Sequence, residues 1–132
     1  AKKQCDVASY YEDEAREVID NTRNRDKKNP AIIMWSIGNE IIRTSGSYDS
    51  ATATGFVQNM INWIKAIDNE RMVTMGDDTP TNSISQDCMR LLDVVGVNYG
   101  SAGEYSSLRT AIPNKPIYGS ETTASLSARG VY

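Results

Sequence analysis

Four short apolar runs, each followed or preceded by a stretch of helical periodicity, limit most strongly how this chain can fold. The runs are Ala31 to Ile37 (AIIMWSI), Arg71 to Met75 (RMVTM), Asp93 to Tyr99 (DVVGVNY) and Pro116 to Ser120 (PIYGS). Their length and their content of valine, isoleucine and aromatic residues read as strands. The first is apolar almost throughout, the pattern of a parallel strand covered on both faces. Between the first two runs, Thr54 to Asp68 carries Phe56, Val57, Met60, Ile61, Ile64 and Ile67 in one apolar stripe. Ser85 to Leu92 reads as a short helix. Gly103 to Ile112 reads as another, with Tyr105, Leu108 and Ile112 on one side. Upstream, Tyr10 to Lys28 places Tyr11, Ala15, Val18, Ile19 and Thr22 at helical spacing. Its acids (Glu12, Asp13, Glu14) come first and its bases (Arg23, Arg25, Lys27, Lys28) last, the order that a helix macrodipole favours. Pro30 ends that helix. The order α-β-α-β-α-β-α-β predicts the α/β class, a parallel sheet with right-handed crossovers. The whole length, residues 1–132, reads as one unit.

Composition narrows the chemistry. Histidine is absent, which removes Ser-His-Asp triads, Cys-His pairs and His-ligated zinc. Acid–base work then falls mainly on carboxylates, with tyrosine and lysine as lesser candidates. Cys5 and Cys88 stand far apart without a CxxC spacing and read as two unpaired thiols. The net charge of -3 is spread over interspersed acids and bases, so no basic face points to a nucleic acid. No apolar stretch has the length of a membrane span, and the first residues, AKKQCDVASYY, do not have the apolar core of a secretory leader. Cellular location is not legible.

In parallel β/α folds, functional groups gather at the C-terminal ends of the strands. Here those ends offer Asn39 and Glu40, Asp77 and Asp78, Asn98 and Tyr99, and Glu121. Two glutamates at the ends of apolar strands are what glycosidic bond cleavage requires: one donates a proton to the leaving oxygen, and the other attacks the anomeric carbon or activates water. Paired acids at strand ends also bind metals or face solvent, so the pair alone does not decide. Asp77 and Asp78 lie in GDDTPTNS, which reads as a loop held by local side-chain hydrogen bonds. Trp35 and Trp63 could stack on sugars, but one lies within a strand and the other near a helical apolar stripe, so packing is the simpler reading. Ser45 to Ser47 lacks the lysine of a phosphate loop.

Three segments carry a more specific signal. RDKKNPAIIMWSIGNEI resembles the acid–base segment of glycoside hydrolase family 2, the group that holds β-galactosidases and β-glucuronidases; there a strand-four W-S-x-G-N-E ends on the proton donor. DVVGVNYG resembles strand six of that family, with a tyrosine at its tip. KPIYGSETTASLSARGVY is similar to the strand-seven segment, where the glutamate after G-S is the nucleophile. The resemblance covers nearly the whole chain and implies a partial (β/α)8 TIM barrel, from about helix three to strand seven of the catalytic domain. It assigns Glu40 as general acid–base and Glu121 as nucleophile. It also implies that Asn39 hydrogen-bonds the sugar 2-hydroxyl and that Tyr99 orients the nucleophile. Strands one, two, three and eight are not represented, and Asn29 stands where many members have histidine.

The implied activity is retaining hydrolysis of a β-linked carbohydrate by double displacement, with carboxyl groups ~5–5.5 Å apart and no cofactor in the scheme. The strand-seven segment favours a β-galactoside; β-glucuronidase or another family 2 specificity is the alternative. From another class, the chain could be a non-catalytic, self-associating or carbohydrate-binding fragment. Half of the barrel rim is absent, so the isolated chain is expected to be inactive. Its two outer strands would lack neighbours, and the inner face is expected to be apolar; both predict self-association.

Overall fold

The computed structural model describes residues 16–17, 20–21, 25–26, 28–42 and 49–122. Cys5, most of the expected helix from Tyr10 to Lys28, the SGS at Ser45 to Ser47 and the tail beyond Thr122 lie outside the described residues. The elements are β1 (Met34–Asn39), α1 (Ser50–Ile67), β2 (Met72–Asp77), α2 (Ser83–Met89), β3 (Val94–Asn98), α3 (Ala102–Ala111) and β4 (Ile117–Glu121). They form one parallel sheet in the order β1-β2-β3-β4. Strands and helices alternate as the apolar periodicity predicts, in the arrangement of a partial TIM barrel.

The boundaries differ from those expected, and each difference has a local cause. β1 does not begin at Ala31. Residues 29–32 form a turn in which Asn29 Oδ1 accepts from Ala31 N at 3.0 Å and Asn29 O accepts from Ile32 N at 3.2 Å. α1 begins at Ser50, earlier than expected, because the Asp49 carboxylate accepts from Thr52 N at 2.7 Å and caps it. α2 begins at Ser83, where Asn82 caps the helix through Ile84 N and Ser85 N. α3 starts on a reciprocal Ser101–Glu104 capping box. β1, β2 and β4 all extend beyond their expected ends, to Asn39, Asp77 and Glu121. Asp77 is therefore a buried strand residue and not part of a loop.

The two faces of the sheet are chemically different. On the outer face Ile37, Val73 and Met75 pack with Val57, Met60, Ile61 and Ile64 of α1. Val95 and Val97 pack with Leu108, Ile112 and Met89. Trp35 and Trp63 are partly buried against the first of these clusters. The inner face is mixed: apolar at the N-terminal ends of the strands, with Met34, Met72 and Val94, and polar toward the C-terminal rim. Thr74 lies beside Tyr118, whose hydroxyl is 3.3 Å from its own, and Ser120 Oγ donates to Asn98 at 2.7 Å. Gly76 and Gly96 leave room for these groups. A Cβ on Gly96 would stand 2.7 Å from the Met75 carbonyl oxygen and 3.0 Å from Ser120 Oγ. Toward the C-terminal rim the inward residues are small, hydroxylic or amide-bearing, while Met34, Met72 and Val94 lie on the same face at the other end of the strands.

At the opposite end of the strands one buried carboxylate joins three segments. Asp68, at the C-terminus of α1, accepts from Trp35 Nε1 at 2.9 Å, from Arg71 Nη1 at 2.6 Å and from the backbone N–H groups of Glu70 and Arg71. Arg71 in turn donates to Ile32 O at 2.7 Å and Asn29 O at 3.1 Å. Burial alone would raise the Asp68 pKa, but the donors from Trp35, Arg71 and the backbone outweigh it and hold the group well below the usual carboxylate range. A folded-state value below the unfolded one means that the ionised group adds stability above the unfolded pKa of ~3.9 and loses it as pH falls. Asp68→Asn is therefore expected to cost about 1–3 kcal/mol near neutral pH, and the difference from wild type should shrink steadily below about pH 4. Urea midpoints of both proteins across pH measure this; a gap that does not change with pH would remove the ionic contribution.

Candidate active site

A regular strand sends consecutive side chains to opposite faces. At the C-terminal rim of this sheet that rule is broken three times. Asn39 and Glu40 are adjacent in sequence, yet Asn98 Nδ2 lies 2.9 Å from both Asn39 Oδ1 and Glu40 Oε1. Asn98 and Tyr99 are adjacent, yet both donate to Glu121. Ser120 and Glu121 are adjacent, yet both meet Asn98. The backbone supplies the means. The β1–β2 register shifts between Ser36 and Asn39, and the β3–β4 register shifts at Val97 and Asn98. Glu40 and Tyr99 are left-handed, with φ of 53° and 56°.

That conformation costs a non-glycine residue on the order of 1 kcal/mol or more. It is held at both places by a backbone bond to the neighbouring strand: Glu40 N donates to Gly76 O at 2.8 Å, and Tyr99 N donates to Glu121 O at 2.6 Å.

The result is one polar cluster drawn from β1, β3 and β4. Asn98 is at its centre and is 1% exposed. Its Nδ2 faces Asn39 Oδ1, Glu40 Oε1 and, at 3.1 Å, Glu121 Oε1. Its Oδ1 accepts from Ser120 Oγ at 2.7 Å. Because one nitrogen touches an oxygen of each glutamate, those two oxygens can be no further apart than the sum of 2.9 and 3.1 Å. The other oxygen of Glu121 accepts from the Tyr99 hydroxyl. That bond raises the Tyr99 pKa, as do burial and the negative charges of Glu121, Glu40 and Asp78. The phenol therefore remains a donor to Glu121. Asn39 is exposed, and with its Oδ1 turned to Asn98 it can offer its two N–H groups to a ligand.

β2 contributes to the cluster by leaving space. A Cβ on Gly76 would stand 2.8 Å from Asn39 Oδ1, 3.0 Å from Asn98 Oδ1 and 3.0 Å from Ser120 Oγ. The four residues read from the sequence as functional, Asn39, Glu40, Tyr99 and Glu121, thus come together. Three others were not read that way: Asn98, which counted only as a polar strand-end residue, Ser120 and Gly76. The available signal was an asparagine closing a valine-rich strand and, on the neighbouring strand, a glycine level with Asn39 and Gly96.

The rim acid Asp77 is bonded locally. Asp77 Oδ1 accepts from Thr79 N at 2.7 Å and Thr79 Oγ1 at 2.8 Å, the local bonding expected of that segment. Thr79 Oγ1 lies 2.9 Å from Ser85 Oγ of α2. Cys88 is a free, buried thiol whose pKa is pushed up to about 12 by burial and by the charges of Asp77 and Asp87. Among the described residues no group of three or more acids and cysteines is placed to hold a metal ion.

A parallel β/α sheet with two glutamates converging at its C-terminal rim belongs to the TIM-barrel class of enzyme domains. The sequence profile of "Glycosyl hydrolases family 2, TIM barrel domain" matches residues 3–131, and the chain belongs to that family. The chain is also 24% identical over 158 aligned residues to the β-galactosidase BoGH2A of Bacteroides ovatus, an alignment that covers 99% of the chain and 18% of the relative. Its fold matches the crystal structure of a glycosyl hydrolase family 2 member from Bacteroides cellulosilyticus with a TM-score of 0.73 at 32% identity, covering 90% of the chain and 16% of that protein. The chain thus spans less than a fifth of the length of either relative.

Gly76→Ala tests whether the empty space over β2 is needed. The added methyl would displace Asn39, Asn98 and Ser120 side chains and not the backbone. In the full-length gene product it is expected to lower glycosidase activity about 10²-fold with a much smaller effect on thermal unfolding. Unchanged activity would show that the cluster tolerates a methyl at its floor.

Proposed function

We propose that this chain is the acid–base and nucleophile portion of a retaining, β-galactosidase-like glycoside hydrolase. The observation that carries the reading is the contact of one amide nitrogen with both glutamates. It keeps the two nearer oxygens within the sum of those two bond lengths, a range that includes the ~5–5.5 Å of retaining enzymes. Membership of family 2 supports the reaction class, and the likeness to BoGH2A supports a β-galactoside over a β-glucuronide.

In this reading Glu121 attacks the anomeric carbon as a carboxylate while Glu40, protonated, delivers its proton to the leaving oxygen. Water then hydrolyses the glycosyl ester, with Glu40 taking the proton. Tyr99 holds Glu121 by its hydroxyl, which restricts the carboxylate to one plane before attack. Asn39 presents its N–H groups to the hydroxyl next to the reacting carbon. No cofactor or metal enters these steps.

Two experiments on the full-length gene product test the assignment. A 2-deoxy-2-fluoro galactoside with an activated leaving group should esterify Glu121, read by peptide mass spectrometry; an adduct on another residue sinks the role. Glu40→Gln should slow phenyl galactosides about 10²–10⁴-fold while dinitrophenyl galactosides, which need no proton, lose far less. Equal losses would give Glu40 another task.

The 132-residue chain alone lacks the rest of the rim and is expected to hydrolyse neither substrate. Among the described residues nothing pairs with the outer edges of β1 and β4, and such edges favour association with other chains. Light scattering of the isolated chain at micromolar concentration should therefore show oligomers; a monodisperse monomer would contradict this.

A further inference from the structure

The scheme above assigns chemistry to Glu40, Glu121, Tyr99 and Asn39. It gives no task to the residue that touches three of them. We propose that Asn98 is a positioning residue that holds both carboxylates at once, and that it selects Oε2 of Glu40 as the oxygen that carries the acid proton. The proposal rests on the reading of Glu40 and Glu121 as the catalytic pair.

An amide nitrogen carries two N–H groups and no acceptor capacity. Asn98 Nδ2 faces three oxygens, Asn39 Oδ1, Glu40 Oε1 and Glu121 Oε1, at 2.9, 2.9 and 3.1 Å. Each can meet that nitrogen only with a lone pair. A protonated Oε1 would be a weaker acceptor toward Asn98 than an unprotonated one, so the bond from Asn98 favours the acid proton of Glu40 on Oε2, the oxygen not bonded to Asn98. On Glu121 both oxygens have a donor, Oε1 from Asn98 and Oε2 from Tyr99. The plane of the nucleophile is thereby set from two sides.

The orientation of Asn98 is itself determined. If the amide were rotated by half a turn, a carbonyl oxygen would face three oxygens. The Ser120 hydroxyl, 2.7 Å from Oδ1, donates to the amide in the observed orientation only where oxygen is on that side. Burial holds the side chain in place, since Asn98 is 1% exposed. Ser120 is exposed and acts through Asn98. A polar side chain so deeply buried must have its bonds satisfied, and here all of them end in the cluster. Val95 and Val97 of the same strand belong to the outer core.

The test uses the full-length gene product with Asn98→Ala and Ser120→Ala, and reads kcat and KM per folded molecule for phenyl and dinitrophenyl galactosides. The folded fraction comes from thermal melting. Asn98→Ala is expected to lower kcat about 10²-fold with little change in KM. The loss should be larger for the phenyl substrate, because both the nucleophile and the proton donor are displaced while only the poor leaving group needs the donor. Ser120→Ala, at an exposed site that tolerates truncation, is expected to lose about tenfold in kcat, the worth of one orienting hydrogen bond.

A purely structural role would reduce the folded fraction and leave kcat per folded molecule unchanged for both substrates; that result overturns the proposal. Should Asn98→Ala fail to fold, Ser120→Ala decides alone: a tenfold loss supports the proposal and wild-type kcat overturns it. Failure of the underlying reading is separable. It appears as an adduct of the fluorosugar away from Glu121 in the wild-type protein, whatever the variants do.

Discussion

The structure depends on breaking strand alternation at one rim. A strand that kept its two-residue period would present either Asn39 or Glu40 to the inner face, not both, and the same holds for Asn98 with Tyr99 and for Ser120 with Glu121. The register shifts beside Asn39 and Asn98, and the left-handed backbone at Glu40 and Tyr99, put both members of each pair in one place. Each departure gives up some backbone stability, on the order of 1 kcal/mol for a left-handed residue. Bonds to Gly76 O and Glu121 O keep the strained residues in position. Irregularity is confined to the strand ends, and the strand bodies below remain paired.

That division explains the two faces of the sheet. The outer face carries the stability of the fold, through valine, isoleucine and methionine packed under α1, α2 and α3. The Asp68–Arg71–Trp35 group fixes the far end of β1 and β2. Toward the rim the inner face carries little apolar surface. Thr74, Gly76, Gly96, Tyr118 and Ser120 fill it with small side chains and hydroxyls. Space there is used to admit polar groups, which is why a methyl at Gly76 meets three of them.

Much of the fold was legible in the sequence because apolar periodicity is strong and local. The alternation of strands and helices follows from it, and so does the placing of Glu40 and Glu121 at strand ends. Helix starts were misplaced where a single capping side chain, Asp49 or Asn82, extends the helix beyond its apolar stripe. The polar upper half of the inner face was not legible because the outward residues dominate the hydropathy of each run. Asn98 was read only as one of several polar residues at the rim. Its position among three acceptors depends on the register of β4 against β3 and on an absent side chain in β2, neither of which a single strand reveals. The resemblance to family 2 supplied roles for Asn39 and Tyr99 that their own sequence context did not.

The central claim is that one amide holds two carboxylates close enough for double displacement. Stereochemistry tests it most directly, because two inversions return the starting configuration and one inversion does not. The full-length gene product should be mixed with a β-galactoside and the anomeric proton of the released sugar followed by NMR before mutarotation. The account predicts that the β-anomer appears first. First release of the α-anomer would contradict it, since a single displacement inverts the configuration.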